Sequence, residues 1–221
     1  MNQRDRVSVR RADRGDLQGI LQVEAAWPED QRASADQIET RLERFSQGVF
    51  VALDGTRYVA CTTSCPIVYM PEAVSNFRSW DEVTNHGLFP DPLPDGANAL
   101  YIVSNGIIPE YRRTGLRERL IGCHLSLARR MNLMYVVTGA MLPGYARYCR
   151  QHGELPVADY ADMKVSGKPV DPTLRKLGAL GFRLPSRAHL IPDYYPSPES
   201  RDYAALMVWT ATGSEPVFGE D

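Results

Sequence analysis

Apolar and polar residues alternate along the chain with periods that predict both strands and helices. Val7 to Ala12 alternates with a period of two, as a half-buried strand does, and residues 17–23 follow with helical spacing behind a capping aspartate. Ser34 and Gln37 have the spacing of a capping box, so a second helix is predicted from Ser34 to about Phe45. The chain is therefore expected to begin with a strand and two helices.

Two apolar runs come next, Gly48 to Leu53 and Arg57 to Met70, with Asp54-Gly55 between them. An Asp-Gly pair between apolar runs favours a two-residue hairpin turn, because both central residues of that turn need positive φ. The pattern predicts a β-hairpin.

The longest regular pattern extends from Tyr101 to Met131. It predicts a strand over Tyr101–Ile108, a tight turn over Pro109–Thr114 and an amphipathic helix over Gly115–Met131. Met134 to Leu142 is then apolar on both faces, as a buried parallel strand is. Strand, helix and strand together predict a βαβ unit.

The remaining third of the chain predicts one more helix and two strands. Asp171-Pro172 has the chemistry of a helix start, and Gly181 marks the end of that helix. Apolar runs over Phe182–Leu190 and Tyr203–Thr210 predict strands that complete the sheet.

Two irregular stretches, about 71–96 and 143–170, interrupt the pattern and predict loop insertions. No linker or repeat marks a second domain, so one domain is expected over residues 1–221. The expected fold class is α/β (α+β), with a mixed central sheet, helices on both faces and two loop insertions.

Composition narrows the classes of partner and compartment. The 221 residues carry a formal charge of −2, which favours neither nucleic acid nor acidic membranes as a partner. No apolar run approaches the roughly 20 residues that cross a bilayer. The four cysteines lack metal-ligand or redox spacing, and the polar start has no signal peptide. These features predict reduced thiols, a cytoplasmic location and no bound metal, and they leave the oligomeric state open.

The turn before the long helix has the chemistry of a phosphate site. The first turn of a helix presents unpaired backbone N–H groups and the positive end of the helix dipole. Arg112, Arg113 and Thr114 add side-chain donors, and Gly115 lets the backbone approach a ligand closely. A pyrophosphate would fit this turn.

At these residues the chain resembles the GNAT acyltransferase superfamily, whose acyl-CoA site has Gln or Arg, two variable residues, Gly, one variable residue, and Gly or Ala. Here RRTGLR covers Arg112 to Arg117: Leu116 takes the variable position, and Arg117 replaces the last small residue. Arg117 either points away from the pyrophosphate or contacts it directly. The resemblance also implies that the strand ending at Ile107 and Ile108 splays open and binds the pantetheine arm of acetyl-CoA or another acyl-CoA.

The order of predicted elements is similar to the GNAT order from Val7 to Thr210. Asp171 to Leu174, Gly181-Phe182 and Pro192 to Tyr194 resemble a long subgroup. That subgroup includes domains in polyketide synthase loading modules and domains fused to carbon–nitrogen hydrolases.

Acyl transfer to an amine needs hydrogen-bond donors at the developing oxyanion and a proton for the departing thiolate. Many GNAT enzymes supply that proton from a tyrosine whose position is Leu177 here, so Tyr194, Tyr195 or water would take its place. Thr138, in the buried strand after the phosphate helix, would hydrogen-bond a thioester carbonyl or an enolate, unless its hydroxyl only bonds backbone groups. His86, in the first insertion, is the third catalytic candidate, and an ordinary loop histidine is the alternative.

Two residues are candidates for substrate binding. Arg187, near the end of a predicted strand, would pair with a carboxylate such as that of a malonyl group, and Trp80 would line an acceptor pocket. A surface arginine and a packed aromatic are the ordinary alternatives.

Three functions remain open at this point. The first is an acyl-CoA-dependent acyltransferase that transfers an acyl group, expected to be acetyl, to a small-molecule or carrier-protein acceptor. The second is a decarboxylase of malonyl-type thioesters with transfer to a carrier-protein thiol, as the loading-module resemblance implies. The third is a non-catalytic acyl-CoA-binding domain, favoured if Arg117 obstructs the pyrophosphate.

Overall fold

The structure is a computed structural model that describes residues 6–211, apart from the side chains of residues 75 and 76. Its strands in this range are β1 (Val7–Arg11), β2 (Val49–Asp54), β3 (Arg57–Ile67), β4 (Ala99–Ile107), β5 (Tyr135–Met141), β6 (Lys164–Val165), β7 (Lys168–Pro169), β8 (Leu190–Ile191) and β9 (Ala204–Thr210). Seven of them form one mixed sheet in the order β1-β2-β3-β4-β5-β9-β8, and β6 pairs with β7. The predicted mixed sheet is confirmed. The ends of the predicted domain, residues 1–5 and 212–221, lie outside the described residues.

The α-helices of the same range cover both faces of the sheet. They are α1 (Leu17–Glu24), α2 (Ala35–Phe45), α3 (Trp80–Thr84), α4 (Leu116–Arg130), α5 (Tyr145–His152), α6 (Val157–Asp162) and α7 (Pro172–Gly178). The long α4 packs on β3, β4 and β5, so the predicted βαβ unit is confirmed.

Two local features predicted from the sequence, a helix cap and a hairpin, are present. The Ser34 hydroxyl accepts the N–H of Gln37 at 3.2 Å, and Gln37 Oε1 accepts the N–H of Ser34 at 2.8 Å, which completes the capping box of α2. The predicted hairpin between β2 and β3 is also present, but its turn residues are Gly55 and Thr56, because Asp54 still pairs with Arg57. Of these turn residues Gly55 has a positive φ, of 61°. The capping box and the hairpin are confirmed, and the turn lies one residue later than predicted.

The parallel strands β4 and β5 separate partway along their length. Their pairing runs from Ala99 opposite Tyr135 to Ile102 opposite Thr138 and ends there. Beyond this point β4 remains paired with β3, and β5 remains paired with β9. The sheet therefore opens between the two strands, as the sequence resemblance implied.

The first insertion docks on α2 through its backbone carbonyls. Gln37 Nε2 donates to the carbonyl of His86 at 2.7 Å, Arg41 Nε donates to that of Gly87 at 2.7 Å, and Arg44 donates to that of Leu88 at 3.1 Å. These three donors lie on one face of the helix and meet consecutive residues of the insertion. The insertion is held in place without forming a strand or a long helix.

The second insertion is more regular than the predicted loop, because it contains α5, α6 and the β6–β7 hairpin. The Tyr145 hydroxyl donates to the carbonyl of Leu155 at 2.7 Å, and the Tyr160 hydroxyl donates to the carboxylate of Asp171 at 3.1 Å. Asp171 is fully buried and also caps α7 by accepting the N–H of Thr173 at 2.8 Å. Helices this short depend on such tertiary contacts, so the sequence periodicity did not reveal them.

The predicted strand over Phe182–Leu190 is wrong. Arg183 makes one isolated bridge to Val208, residues 187–189 form a 3-10 turn, and a strand is present only at Leu190–Ile191. Pro185 has no N–H for a strand ladder, which explains why regular pairing does not continue past Arg183.

A buried histidine links α4 to the sheet. His124 Nε2 lies 2.9 Å from the Thr62 hydroxyl, and its ring packs edge to face on Phe50. Its Nδ1 has no hydrogen-bond partner in the described part of the chain. Burial lowers the pKa of His124 to about 3, so the imidazole is neutral in the folded protein at pH 7.

We expect acid to destabilise the fold through His124. Its folded-state pKa lies below the unfolded value of roughly 6.5, so the unfolded chain binds the extra proton and stability falls as the pH drops from about 6.5 towards 3. The loss is at most about 1.4 kcal/mol per pH unit. Urea unfolding across this pH range should show a weaker pH dependence for His124→Gln and an unchanged one for exposed His86→Gln. Equal pH slopes for wild type and His124→Gln would contradict the assignment.

Candidate active site

The opening between β4 and β5 forms part of a cavity of about 680 Å³. Its centre is lined by Tyr101 to Asn105 of β4 and Thr138 to Met141 of β5. The first turns of α4 border it at one side, and α1, α2 and residues 30–33 border it at the other. One cavity thus extends from Arg117 and Ile121 of α4 to a wall made by the first two helices, while residues 107–116 of the predicted CoA site lie outside its lining.

The phosphate turn leaves the start of α4 open. Gly115 precedes the helix with a φ of 81°, and no side chain caps the first N–H groups. The Thr114 hydroxyl donates to the carbonyl of Tyr111 at 2.7 Å, and Arg112 Nε donates to the carbonyl of Ile107 at 3.2 Å. Thr114 and Arg112 therefore shape the turn, while the backbone N–H groups remain available to an anion.

Arg117 lines the cavity from the first turn of α4. Within residues 6–211 its guanidinium makes no hydrogen bond or ion pair, and burial lowers its pKa below the usual value. The sequence left open whether Arg117 points away from the pyrophosphate or contacts it. In the structure its side chain lies at the cavity. A half-buried guanidinium without a hydrogen bond or ion pair favours an anionic ligand, because the nearby charge of Glu118 offsets its desolvation only in part.

Asn105 adds a second unpartnered group on the same cavity. Both polar atoms of its side-chain amide are buried, and neither has a hydrogen-bond partner in the described chain. Buried amides normally satisfy both groups, so an unsatisfied one at a cavity is typical of a ligand contact. Sequence reasoning missed this residue, since an Asn in a strand has no distinguishing pattern.

A bulge in β4 lies next to another hydroxyl of the cavity lining, that of Ser104. Ser64 pairs with Ile102 and Thr63 pairs with Ser104, so Val103 has no partner on β3. The Ser104 and Thr63 hydroxyls lie 2.5 Å apart, and Trp80 Nε1 donates to the carbonyl of Val103 at 3.0 Å. The bulge and Trp80 fix the backbone of β4 where the sheet opens.

Tyr194 places a phenol beside this opening. Its hydroxyl hydrogen-bonds that of Tyr101 and lies against Gly139, where a side chain would overlap the ring. Tyr194 is almost fully buried, and burial raises its pKa above the usual value, so the phenol is protonated at neutral pH. The structure brings this predicted catalytic residue to the cavity.

Thr138 is the last residue of β5 that pairs with β4, and it lines the cavity. Leu177 lines the same cavity with an apolar side chain. It occupies the position at which many GNAT enzymes have a tyrosine. Tyr195 also lines it and packs edge to face on Trp80 at 5.6 Å. The hydroxyl groups that reach this cavity thus come from positions other than 177.

The remaining predicted site residues differ in their placement. Trp80 lines the cavity, and His86 lies at its rim with a side chain that is 77% exposed and 3.7 Å from Asp81. Arg187 lies outside the cavity lining, in ion pairs with Asp159 at 3.0 Å and Asp162 at 2.7 Å on the surface. Its predicted strand position is wrong, because it belongs to a 3-10 turn.

Two charged residues that the sequence analysis did not identify line the wall formed by α1 and α2. Glu24 is 5% exposed and accepts the N–H of Ala33 at 2.9 Å, and Arg41 is 3% exposed. Burial raises the pKa of Glu24 and lowers that of Arg41, while each charge partly offsets the shift of the other. Arg41 falls on the face of α2 that holds Ile38 and Leu42, and a charge on an apolar face was the available signal.

In residues 6–211 no group of three or more metal-ligating side chains comes together. No helix in that range is long and apolar enough to span a membrane.

Comparison with known proteins gives two relatives from Bacillus subtilis strain 168. The uncharacterized N-acetyltransferase YkwB is 27% identical over 83% of this chain and 77% of its own length. The probable hydrolase YhcX is 26% identical over 91% of this chain, which spans only 38% of that protein. No model of a protein family matches the chain.

Solved structures show the same fold. The loading GNATL domain of CurA from Lyngbya majuscula is 22% identical, with a TM-score of 0.76 over 92% of this chain and 97% of that domain. The GNAT-like decarboxylase GphF, solved with isobutyryl-CoA, is 23% identical, with a TM-score of 0.75 over 92% of this chain and 98% of that one. The chain therefore has the fold of the GNAT superfamily of acyltransferases, as its sequence resemblance implied.

Proposed function

We propose that this protein transfers an acetyl group from acetyl-CoA directly to the amine of a small-molecule acceptor. The observation that supports the proposal is one cavity, which extends from Arg117 in the first turn of α4 along the gap in the sheet to the wall of α1 and α2. Donor and acceptor would meet in that gap, with no need for an acyl-enzyme intermediate.

The residues at the donor side fit the pyrophosphate and pantetheine of CoA. The uncapped N–H groups after Gly115 and the unpaired Arg117 supply donors and positive charge for phosphate oxygens. The unpaired edge of β4 beyond Ile102 offers backbone groups to an extended arm that carries amides, as another strand would. Ile107, Ile108 and Arg113 remain predicted contacts of CoA.

The transfer itself needs an oxyanion donor and a proton for the leaving group. The neutral amine attacks the thioester carbon, a C–N bond forms, the C–S bond breaks, and CoA leaves as a thiolate. The protonated phenol of Tyr194 would give the thiolate its proton and regain one that the nitrogen releases through solvent. The Thr138 hydroxyl, at the point where the strands part, would donate to the oxyanion.

Decarboxylation of a malonyl-type thioester is the second candidate, and the position of Thr138 at the opening favours it. In that reaction the bond between C2 and the carboxylate breaks, CO2 leaves, and the enolate takes a proton at C2. The Thr138 hydroxyl would stabilise the enolate oxygen. A carrier-protein thiol would then attack the thioester carbon, the C–S bond to CoA would break, and CoA would leave as a thiol with the proton that the attacking thiol gives up. His86 would have to leave its exposed rim position to take part in either reaction.

Calorimetric titration with acetyl-CoA, malonyl-CoA and CoA tests the proposal, with thiol release and CO2 followed in the same samples. We expect acetyl-CoA to bind and to release CoA faster when a mixture of primary amines is added. CO2 from malonyl-CoA without amine-dependent release would favour the second candidate. If acetyl-CoA, malonyl-CoA and CoA all fail to bind, the assignment of a CoA site is wrong.

A further inference from the structure

The wall of the cavity that α1 and α2 form, where the acceptor would bind, contains two opposite charges that do not pair with each other. Glu24 and Arg41 are both nearly inaccessible to bulk solvent, and both line the cavity. They are close enough to interact electrostatically, yet no ion pair within 4.0 Å joins them in the described chain. Two buried charges held apart in this way carry a large desolvation cost that each offsets only in part.

In the described residues each of these charged groups makes its hydrogen bond through a single atom. The hydrogen bond of Glu24 uses Oε2, which accepts the N–H of Ala33 at 2.9 Å. That of Arg41 uses Nε, which donates to the carbonyl of Gly87 at 2.7 Å. The second carboxylate oxygen and the two terminal guanidinium nitrogens therefore remain for a ligand, and a guanidinium presents such nitrogens in the geometry that a carboxylate accepts.

A ligand with one charge fits this wall poorly. A carboxylate bound at Arg41 would also meet the negative Glu24, and an ammonium bound at Glu24 would meet the positive Arg41. A ligand that carries both groups satisfies both side chains. The charges on the wall thus select a small zwitterion.

We propose that Glu24 and Arg41 form the binding site of an aminocarboxylate acceptor, an α-amino acid or a close analogue, with its amine at Glu24 and its carboxylate at Arg41. This inference rests on the proposed acetyl transfer and specifies its acceptor. The bound ammonium gives one proton to Glu24 and becomes the neutral nucleophile. Its nitrogen bonds to the thioester carbon as the C–S bond breaks, and CoA takes up a proton as it leaves.

Matched sets of three compounds test the inference in solution. L-Leucine, 3-methylbutylamine and 4-methylpentanoate form one set, and L-phenylalanine, phenethylamine and 3-phenylpropionate form another. Each is titrated by calorimetry into the protein with CoA present, and each amine is assayed for acetyl-CoA-dependent thiol release; the other L-amino acids of proteins are assayed in the same way. We expect at least one amino acid to bind and react about tenfold or more better than its amine or acid counterpart.

Variants assign that preference to the two side chains. Glu24→Gln keeps an oxygen for the N–H of Ala33 but loses the charge, and Arg41→Lys keeps the charge but loses the fork of donors. Each should raise the KM of the preferred amino acid about tenfold while leaving that of acetyl-CoA unchanged, and Glu24→Gln should also lower kcat because it removes the proton acceptor. Glu43→Gln, on the exposed end of the same α2, is the control with no expected effect. Thermal unfolding of each variant identifies any that fail to fold, and Arg41→Gln then replaces Arg41→Lys.

Several results would overturn the inference. One is CoA binding with no amino acid bound or acetylated, which leaves the proposed acyltransferase standing. Another is equal use of an amine and its amino acid counterpart. A third is release of CO2 from malonyl-CoA with a KM for malonyl-CoA that rises in Arg41→Lys, which would assign Arg41 to the acyl group instead. Absence of CoA binding would overturn the proposed function and this inference together.

Discussion

Replacing Arg117 with Gln should weaken the binding of CoA by roughly tenfold to a hundredfold, the range expected when a charge-assisted hydrogen bond to phosphate is lost. Arg117 has no partner in the described residues and already bears the cost of burial, so a bound anion would gain the full interaction. Calorimetric titration with CoA measures the change. Because the removed cation is also a half-buried charge that is compensated only in part, the ligand-free variant should be at least as stable as the wild type.

Arg130→Gln provides the control for this variant. Arg130 lies at the exposed end of the same α4, outside the cavity lining, so the same loss of charge should change CoA affinity by less than about twofold. A second comparison uses CoA with salt added, since the difference between wild type and Arg117→Gln should shrink as ionic strength rises. Unchanged CoA affinity in Arg117→Gln would mean that the pyrophosphate lies elsewhere.

Tyr194→Phe should lower kcat by about a hundredfold or more, the usual contribution of a positioned general acid, with little change in CoA affinity. The phenol is protonated, fully enclosed and placed where β4 and β5 separate, and the variant removes only its oxygen. Steady-state kinetics with the best amine from the acceptor screen gives kcat and KM separately. A thioester with a more acidic thiol needs less protonation on leaving, so it should lose less activity in the variant.

Tyr148→Phe is the matched control for Tyr194→Phe, because Tyr148 stacks on His152 outside the cavity and loses the same atom. It should leave kcat unchanged. If Tyr194→Phe lowers stability and kcat together, and both thioesters lose equal activity, Tyr194 supports the fold of the cavity and another group protonates the thiolate.

Local chemistry explains which parts of the fold were predictable. Three features depend on residues close in sequence: the capping box at Ser34, the hairpin that turns at Gly55, and the strand, turn and helix from Tyr101 onwards. Their outcome is set by backbone preferences and short-range hydrogen bonds. The strand predicted over Phe182–Leu190 failed because its apolar residues were given more weight than Pro185, which has no N–H for a strand ladder.

The candidate site was predictable on its donor side and much less so on its acceptor side. Arg117 and Tyr194 were identified because a resemblance to known motifs drew attention to their positions. Glu24 and Arg41 come from two helices and become neighbours only when α1 and α2 pack on the sheet. The position of Ser104 depends on a bulge at Val103 of β4, which forms in the pairing with β3 and which no pattern within β4 alone encodes.

The docking of the first insertion on α2 makes the two partners unequal in how they tolerate change over evolutionary time. Every residue has a carbonyl, so positions 86 and 88 can vary in side chain and still accept from Gln37 and Arg44. Gly87 is the exception, because its φ of 79° and the nearby guanidinium leave no room for a side chain. By contrast, α2 needs long side chains with hydrogen-bond donors at positions 37, 41 and 44. The side chains of the insertion at positions 86 and 88, beside the entrance to the cavity, can therefore be replaced without loss of the docking, whereas replacement of Gln37, Arg41 or Arg44 by a residue without a donor removes a hydrogen bond.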